Sequence, residues 1–588
     1  MRGLIPLTDN KSTDLKLNEF VNGGPVAPKD PVEKRSGFFI MFDTIIEATA
    51  RPDGKFSQEI YLEGRLIDKA RFAGGITDEA ILEHLKSCSG FRRLVHSIGI
   101  SVKSNEQESA GVFFVLENWG VTSKYETGTR LRIPCETDGS ETILTLEEYD
   151  WSPDDDVPGK FAFEFEREGT LATVSIIFYL NEGYQVPEFQ VEPPVDFRSE
   201  SYREMIAKSL LNKGNNKRLK AAIDKAKRGE DVTIAYIGGS ITQGAGAKPI
   251  HTECYAYRSY AIFKQMFGKD DGGHIHLIKA GVGGTPSELG IVRYDRDILR
   301  NGDVNPDIVI VEFAVNDEGD ETKGNCYESL TLKALTSANK PAVILLFSVF
   351  LNDWNLQDRL APVGEHYDLP MVSVKDAVVE QFRLTKTEGN IISKRQFFYD
   401  TYHPTNAGHQ VMADCLGFLF AETERSAPDL SDIVTDKPAM IGNDFIHTCL
   451  LDRSKIDDIA SIDPGSFNGT DADLQSVEMD DHPYGTPQFP NNWMHKGESG
   501  RGSFKMTIRC KRLILIFKDS GNIEFGSADI WVDGLQKLTA DPHIHNWTHC
   551  NAVILFNEQA ATEHTVEIRM ASGHEDKHFT ILGFGYVS

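Results

Sequence analysis

Between Gly37 and Tyr184 apolar and polar positions alternate with a period of two. The clearest runs are FFIMFDTIIEATA from Phe38, GVFFVLENWG from Gly111, KFAFEFERE from Lys160 and TLATVSIIFYL from Thr170; in the third, Phe161, Phe163 and Phe165 are separated by Ala162, Glu164 and Glu166. Alternation of this kind, with turn residues between the runs, predicts strands of an antiparallel β-sandwich over 37–195. One segment, Asp78 to Ser87, carries helical spacing instead. Residues 1–36 are polar and punctuated by Pro and Gly, which predicts a surface arm. The tract VPEFQVEPPVDF, around Pro187, Pro193 and Pro194, reads as a linker.

After the linker the period changes. From Ser199 to Arg228 the residues Leu, Ala, Lys and Arg recur at helical spacing, and the β-branched run Val232, Thr233, Ile234, Ile237 then predicts a buried strand. Further strand-like runs follow at His274–Ile278, Ile308–Phe313, Ala342–Phe350 and Met371–Val374, with helix-like segments such as YRSYAIFKQMF and YESLTLKALTSA between them. Strands alternating with helices predict a parallel sheet covered on both faces, the doubly wound α/β class, over 199–425. Its closing helix follows Pro404-Thr405, with Val411, Met412, Cys415, Leu416, Leu419 and Phe420 as one apolar stripe and Thr405 as N-cap. Beyond it, KRLILIFKD, GSADIWVDGLQK, AVILFNE, HTVEIRM and FTILGFGYV read as short strands, and Asp533-Gly534 is a hairpin turn. A second, jelly-roll-like β-sandwich is therefore expected over 430–588. The loop-rich tract from Asp452 to Gly500 is expected to wrap across the central domain.

Composition narrows the partners. The 588 residues are 40% hydrophobic and 25% charged, as in ordinary globular domains. With 88 acidic against 61 basic residues the formal charge is −27. That sign repels nucleic acid and anionic membranes, so neither is expected as a partner. The longest apolar run, near Ala342 to Leu351, is too short to span a bilayer. The N-terminus has no apolar stretch of signal-peptide length, and a cytoplasmic protein is expected. Eight scattered cysteines form no CxxC pair, which fits reduced thiols. No residue points to a subunit interface, and a homo-oligomer stays open.

Candidate chemistry gathers in the central domain. In DVTIAYIGGSITQGAG, from Asp231, the strand breaks at Gly238-Gly239 and Ser240 stands at the turn into the next helix. A serine there presents its hydroxyl above the carboxyl end of the sheet, where a nucleophile belongs. Such a serine needs a base, a group to orient the base, and donors for the oxyanion. YDTYHPTNAGH supplies Asp400 and His403 three positions apart, so His403 would take the serine proton and Asp400 would hold the imidazole tautomer. KAGVGGTPS follows the second strand and offers glycine N–H groups; EFAVND follows the third and offers the Asn316 amide.

Together, GGSIT with Ser240, AGVGGT with Gly284, VND with Asn316 and DTYHP with Asp400 and His403 resemble the four blocks of an SGNH hydrolase of the GDSL esterase superfamily, over residues 231–420, about a third of the chain. The resemblance implies a flavodoxin-like sheet, Ser240 as nucleophile, and an oxyanion hole made by the Ser240 and Gly284 N–H groups with the Asn316 side chain. Adjacent Gly283 leaves that register open by one. Gly239 stands where the family name has Asp, and Lys279 where the second block often has Asn. IAYIGGSITQGAG followed by a C-terminal sandwich is similar to bacterial carbohydrate esterases that remove acetyl groups from plant polysaccharides. The expected activity is thus a serine esterase removing O-acetyl groups from hemicellulose-derived oligosaccharides, xylan for example, through an acyl-enzyme, with no metal or organic cofactor. Two alternatives are a lipid, thioester or aryl acylhydrolase of the same superfamily and a non-catalytic carbohydrate-binding protein. Of Trp354, Trp493 and Trp547, the loop residue Trp354 is the expected sugar-stacking side chain. HIHNWTHC, with His543, His545, His549 and Cys550, matches no zinc spacing and reads as a polar loop.

Overall fold

Strand alternation in the first third of the chain takes the form, in the computed structural model, of two antiparallel sheets. One orders Gly37–Glu47, Leu171–Leu180, Val95–Ser104 and Asp138–Thr145; the other orders Thr49–Ala50, Phe56–Tyr61, Asp155–Phe165, Val112–Gly120 and Arg130–Cys135. The structure describes residues 25–26, 28–51, 54–104, 111–186, 189–190, 192–455, 459–480 and 485–588, so residues 1–24 of the expected arm and Pro187 of the expected linker lie outside it. The facing sides of the two sheets share one core, in which Phe38, Ile176 and Phe178 meet Phe114, Phe161 and Phe163. The rings of Phe161 and Phe178 touch edge-on at 6.2 Å. The other face of Asp155–Phe165 departs from simple alternation: Glu164 is buried beneath Lys55, Arg130 and Arg132, which neutralise it. Helix Glu79–His84, capped by the Asp78 carboxylate on the Ala80 N–H, falls inside the predicted helical segment. Two further short helices, Leu66–Phe72 and Cys88–Leu94, flank it.

The chain divides into two units. The first joins the described residues up to Arg198 with Ile391–Ala407; the second holds Ser199–Asn390 and Gly408–Ser588. In the second, six strands lie in the order Leu210–Asn212, Met371–Ser373, Ala342–Phe347, Ile308–Glu312, Val232–Gly238, Ile275–Gly281. The last five are mutually parallel and the first runs antiparallel. Counted along the chain, the parallel strands take the flavodoxin-like order 2-1-3-4-5, whose switch point lies at the carboxyl end of Val232–Gly238. Alternate strand residues face opposite layers: Ala235, Ile237, Val309, Val311, Val343 and Leu345 share one core with Leu289, Leu330 and Leu360 of the helices. On the other face Tyr236 donates to, or accepts from, the Ser259 hydroxyl of helix Tyr255–Phe267 at 2.8 Å. The helical span predicted from Ser199 to Arg228 is two helices, Glu200–Ala207 and Lys217–Arg228, interrupted by the edge strand Leu210–Asn212.

Eight of the C-terminal strands form one antiparallel sheet around a core of Leu451, Trp493, Phe504, Met506, Ile530, Val566 and Phe584, and Ser476–Val477 pairs separately with Thr486–Pro487. Two segments read as separate strands, AVILFNE and HTVEIRM, belong to a single 22-residue strand, His549–Met570. It pairs along Phe504–Asp519 with register shifts after Cys510 and Leu513, where one long ladder changes course. Asp533 and Gly534 both have positive φ, 50° and 77°, as the predicted tight hairpin requires. The sheet packs on the central layer: Ile514, Ile516, Cys550 and Leu582 join the core lined by helix Ser287–Asp297. No helix among the described residues is long and apolar enough to cross a membrane.

Candidate active site

Ser240 opens a single helical turn, Ser240–Gln243, directly after the switch-point strand, and is half-buried. Gly239 before it is required by space. A Cβ there would stand 2.1 Å from Asn316 Oδ1, closer than any real side chain tolerates, so the Asn316 amide lies against the Ser240 turn. Asn316 itself begins a short helix, Asn316–Gly319, just beyond strand Ile308–Glu312, and its Oδ1 is buried with no hydrogen-bond partner among the described residues. Lys279, the residue that departs from the family's second block, is buried and donates from Nζ to the Gln243 carbonyl at 2.7 Å, closing the carboxyl end of the same turn.

The Gly283-Gly284 loop runs beside the turn. The Gly283 N–H donates to Gln243 Oε1 at 3.1 Å, and Gln243 in turn donates to Glu478 at 2.6 Å. The two glycine carbonyls are held from the C-terminal part of the unit: Gln475 Nε2 donates to Gly283 O at 2.8 Å and His549 Nε2 to Gly284 O at 3.0 Å. Gly284 is exposed and has φ +73°, a conformation favouring glycine. Burial, with His545 beside it, pushes the His549 imidazole down to about 4, so it is neutral near pH 7 with its proton on the nitrogen facing Gly284. The segment around Gln475, Glu478 and Asp480, whose carboxylate accepts the Lys279 N–H at 2.8 Å, therefore does run across the central sheet.

Behind the turn, Thr242 Oγ1 sits 2.8 Å from the Tyr255 hydroxyl and donates to Glu312 Oε2 at 3.3 Å, while the Ser348 hydroxyl donates to Glu312 Oε1. Burial raises the Glu312 carboxyl from 4.5 to about 7, against the lowering effect of the Ser348 and Thr242 hydroxyls. A carboxyl whose folded pKa lies above its unfolded one takes up a proton on folding. Its contribution is most favourable below the unfolded value of 4.5 and is lost as pH climbs through about 7. The rise corresponds to ~3 kcal/mol. In melts between pH 5 and pH 8, Glu312→Gln is expected to lose less stability than wild type; parallel losses would show that Glu312 does not titrate in this window.

The first unit carries the other sequence-predicted pair. Asp400 Oδ1 accepts the N–H groups of Tyr402 and His403, both at 2.8 Å, and Oδ2 accepts from His403 Nδ1 at 2.9 Å. A carboxylate partner on Nδ1 fixes the proton there and leaves the lone pair on Nε2, the arrangement a general base needs. Burial alone would raise the Asp400 carboxyl, but His403, Arg65 and Lys69 outweigh it and hold it well below the usual carboxylate range. The loop is shaped locally by the Phe398–Pro404 bridge and by the Tyr399 N–H donating to the His403 carbonyl at 2.7 Å. Thr405 donates from its hydroxyl to the Gln396 carbonyl at 2.6 Å.

Of the three tryptophans, Trp493 lies in the C-terminal core and Trp354 is half-buried, stacked on Phe350 at 6.0 Å. Trp547 is 43% exposed and stands against Gly284, its ring 3.0 Å from where a Cβ would be. The HIHNWTHC stretch supports that ring: the His549 and Trp547 rings pack at 4.6 Å, and the His545 N–H donates to Asp519 at 3.0 Å. Gln243, Gln475, His549, Arg65 and Lys69 carry no motif of their own, and reasoning from sequence passed over their roles at these loops.

The strand order, with the Gly-Gly-Ser turn at its switch point, defines a flavodoxin-like α/β domain. Residues 236–411 match the GDSL-like Lipase/Acylhydrolase family, and the protein is a carboxylic ester hydrolase. Its structure is similar to that of a two-domain esterase (CEX) active on acetylated mannans, with 26% identity and a TM-score of 0.56 over 65% of this chain and 99% of that one. The structure of that esterase co-crystallized with mannopentaose aligns with 26% identity and a TM-score of 0.55, over 65% and 98% of the two chains. No curated protein matches the chain.

Proposed function

We propose that the protein is a serine esterase that removes O-acetyl groups from mannan-type hemicellulose oligosaccharides. The observation that carries the chemistry is the Asp400–His403 pair, with one carboxylate oxygen on two backbone amides and the other on Nδ1. In this reading Ser240 Oγ attacks the acetyl carbonyl and His403 Nε2 takes its proton. The Ser240 N–H, the Gly284 N–H and the Asn316 side chain receive the developing oxyanion, and the sugar hydroxyl leaves with the proton from His403. Water then enters by the same route and releases acetate. Gly284 is preferred to Gly283 because the Gly283 N–H already has an acceptor in Gln243 and Gly283 is buried.

The choice of mannan over xylan rests on the likeness to the esterase active on acetylated mannans. Exposed Trp547 beside Gly284 supports a sugar ring as leaving group better than Trp354, which is occupied by Phe350. Acetate release from acetylated manno- and xylo-oligosaccharides, followed by NMR, is the test. Faster release from the manno-substrates by about tenfold or more is expected, a margin of ~1.4 kcal/mol in transition-state binding. Among 4-nitrophenyl esters, acetate is expected to outrun butyrate and octanoate. Rates rising with acyl length would favour a lipid acylhydrolase, and sugar binding without hydrolysis would favour a binding protein.

A further inference from the structure

One short helix of the N-terminal sandwich, Leu66–Phe72, and the residue preceding it, Arg65, contact four consecutive residues of the acid–base loop. Arg65 Nη1 stands 3.7 Å from Asp400 Oδ2, and its guanidinium lies over the Tyr402 ring at 5.5 Å. Asp68 Oδ2 accepts from the Thr401 hydroxyl at 3.1 Å. Lys69 Nζ lies over the Tyr399 ring at 5.2 Å, and the side chain is buried, only 6% exposed. An ammonium taken out of water in this way needs compensating negative charge, and Asp400 is the carboxylate that supplies it. Asp400 Oδ1 is fully occupied by two backbone amides, so Oδ2 alone must serve His403, and a cation on that side keeps it ionised and in place.

We propose that Arg65 is a positioning residue for catalysis: with Lys69 it holds the Asp400 carboxylate on His403 Nδ1, making the N-terminal sandwich part of the catalytic apparatus rather than an appendage. This rests on the reading of His403 as the general base. The chemistry predicts that losing the guanidinium loosens the imidazole and lowers turnover without altering substrate affinity, since Arg65 reaches the reaction only through Asp400. A role confined to bracing the fold would instead lower the melting temperature and would not distinguish lysine from an apolar residue at this position.

The test uses the full chain and 4-nitrophenyl acetate, with kcat, KM and melting temperature measured for wild type, His403→Ala, Arg65→Met and Arg65→Lys. Arg65→Met is expected to lower kcat about 10- to 100-fold with KM within about twofold, and Arg65→Lys to recover most of the loss. Wild-type kcat in Arg65→Met alongside an inactive His403→Ala would overturn the inference, as would Arg65→Lys being as impaired as Arg65→Met. Retained activity in His403→Ala would instead overturn the reading beneath it. Should Arg65→Met fail to fold, Lys69→Met gives the same comparison: lower kcat at constant KM supports the proposal, and unchanged kcat refutes it.

Discussion

Ser240→Ala is expected to lower kcat/KM for acetyl esters by on the order of 10⁴- to 10⁶-fold, and His403→Ala by a similar factor, while both variants fold and Ser240→Ala melts as wild type does. The size follows from the proposed roles of Ser240 as nucleophile and His403 as base. Without the hydroxyl there is no acyl-enzyme, and without the imidazole the hydroxyl keeps its proton at neutral pH. Because nucleophile and base act as one unit, the double variant should be scarcely slower than either single one. Stability should change little: Ser240 is half-buried at a turn whose backbone is secured by its own hydrogen bonds, the Gln243 N–H to Gly239 O and the Gly244 N–H to Ser240 O, both at 3.0 Å. Rates for 4-nitrophenyl acetate, set beside circular dichroism melts, check both halves of the expectation. A loss below about 100-fold for either residue would remove it from the machinery.

Gly239→Ala is expected to cost on the order of 10²- to 10³-fold in kcat, as much as Asn316→Ala, although it removes no functional group. The added methyl would stand 2.1 Å from Asn316 Oδ1 and 2.6 Å from Nδ2, so the amide must swing away from the turn. If that displacement is the whole effect, Gly239→Ala on top of Asn316→Ala should be nearly silent, because the clash has gone with the side chain. Additive losses would mean that the methyl harms Ser240 directly.

The parts of the fold that were legible in the sequence are those set by local pattern. Central strands such as Ile308–Glu312, apolar up to its last residue, and Ala342–Phe347 are apolar runs because both faces of a parallel sheet are covered. Leu210–Asn212 was not legible, being three half-buried residues at the sheet edge inside a helix-like stretch. The 22-residue strand His549–Met570 looked like two because its middle, from Asn557 to Glu563, is polar and mostly exposed, which reads as a loop. In the site, Asp400 and His403 could be paired from their spacing alone, since three residues of one tight loop can reach each other. The Gly283-Gly284 register was not legible, because no sequence pattern reveals the Gln243 side chain on the Gly283 amide, the contact behind the proposed preference for Gly284. Arg65, Asp68 and Lys69 were invisible: Thr401 and Asp68 are 333 positions apart, and no periodicity encodes a contact at that range.

Fluorophosphonate labelling followed by peptide mass mapping tests most directly whether the Gly-Gly-Ser turn and the Asp–His loop act on one bond. Wild type should carry a single adduct, on Ser240, with none in Ser240→Ala and with labelling slowed by on the order of 10²-fold or more in His403→Ala. An adduct on another residue, or an unchanged labelling rate without His403, would contradict the account.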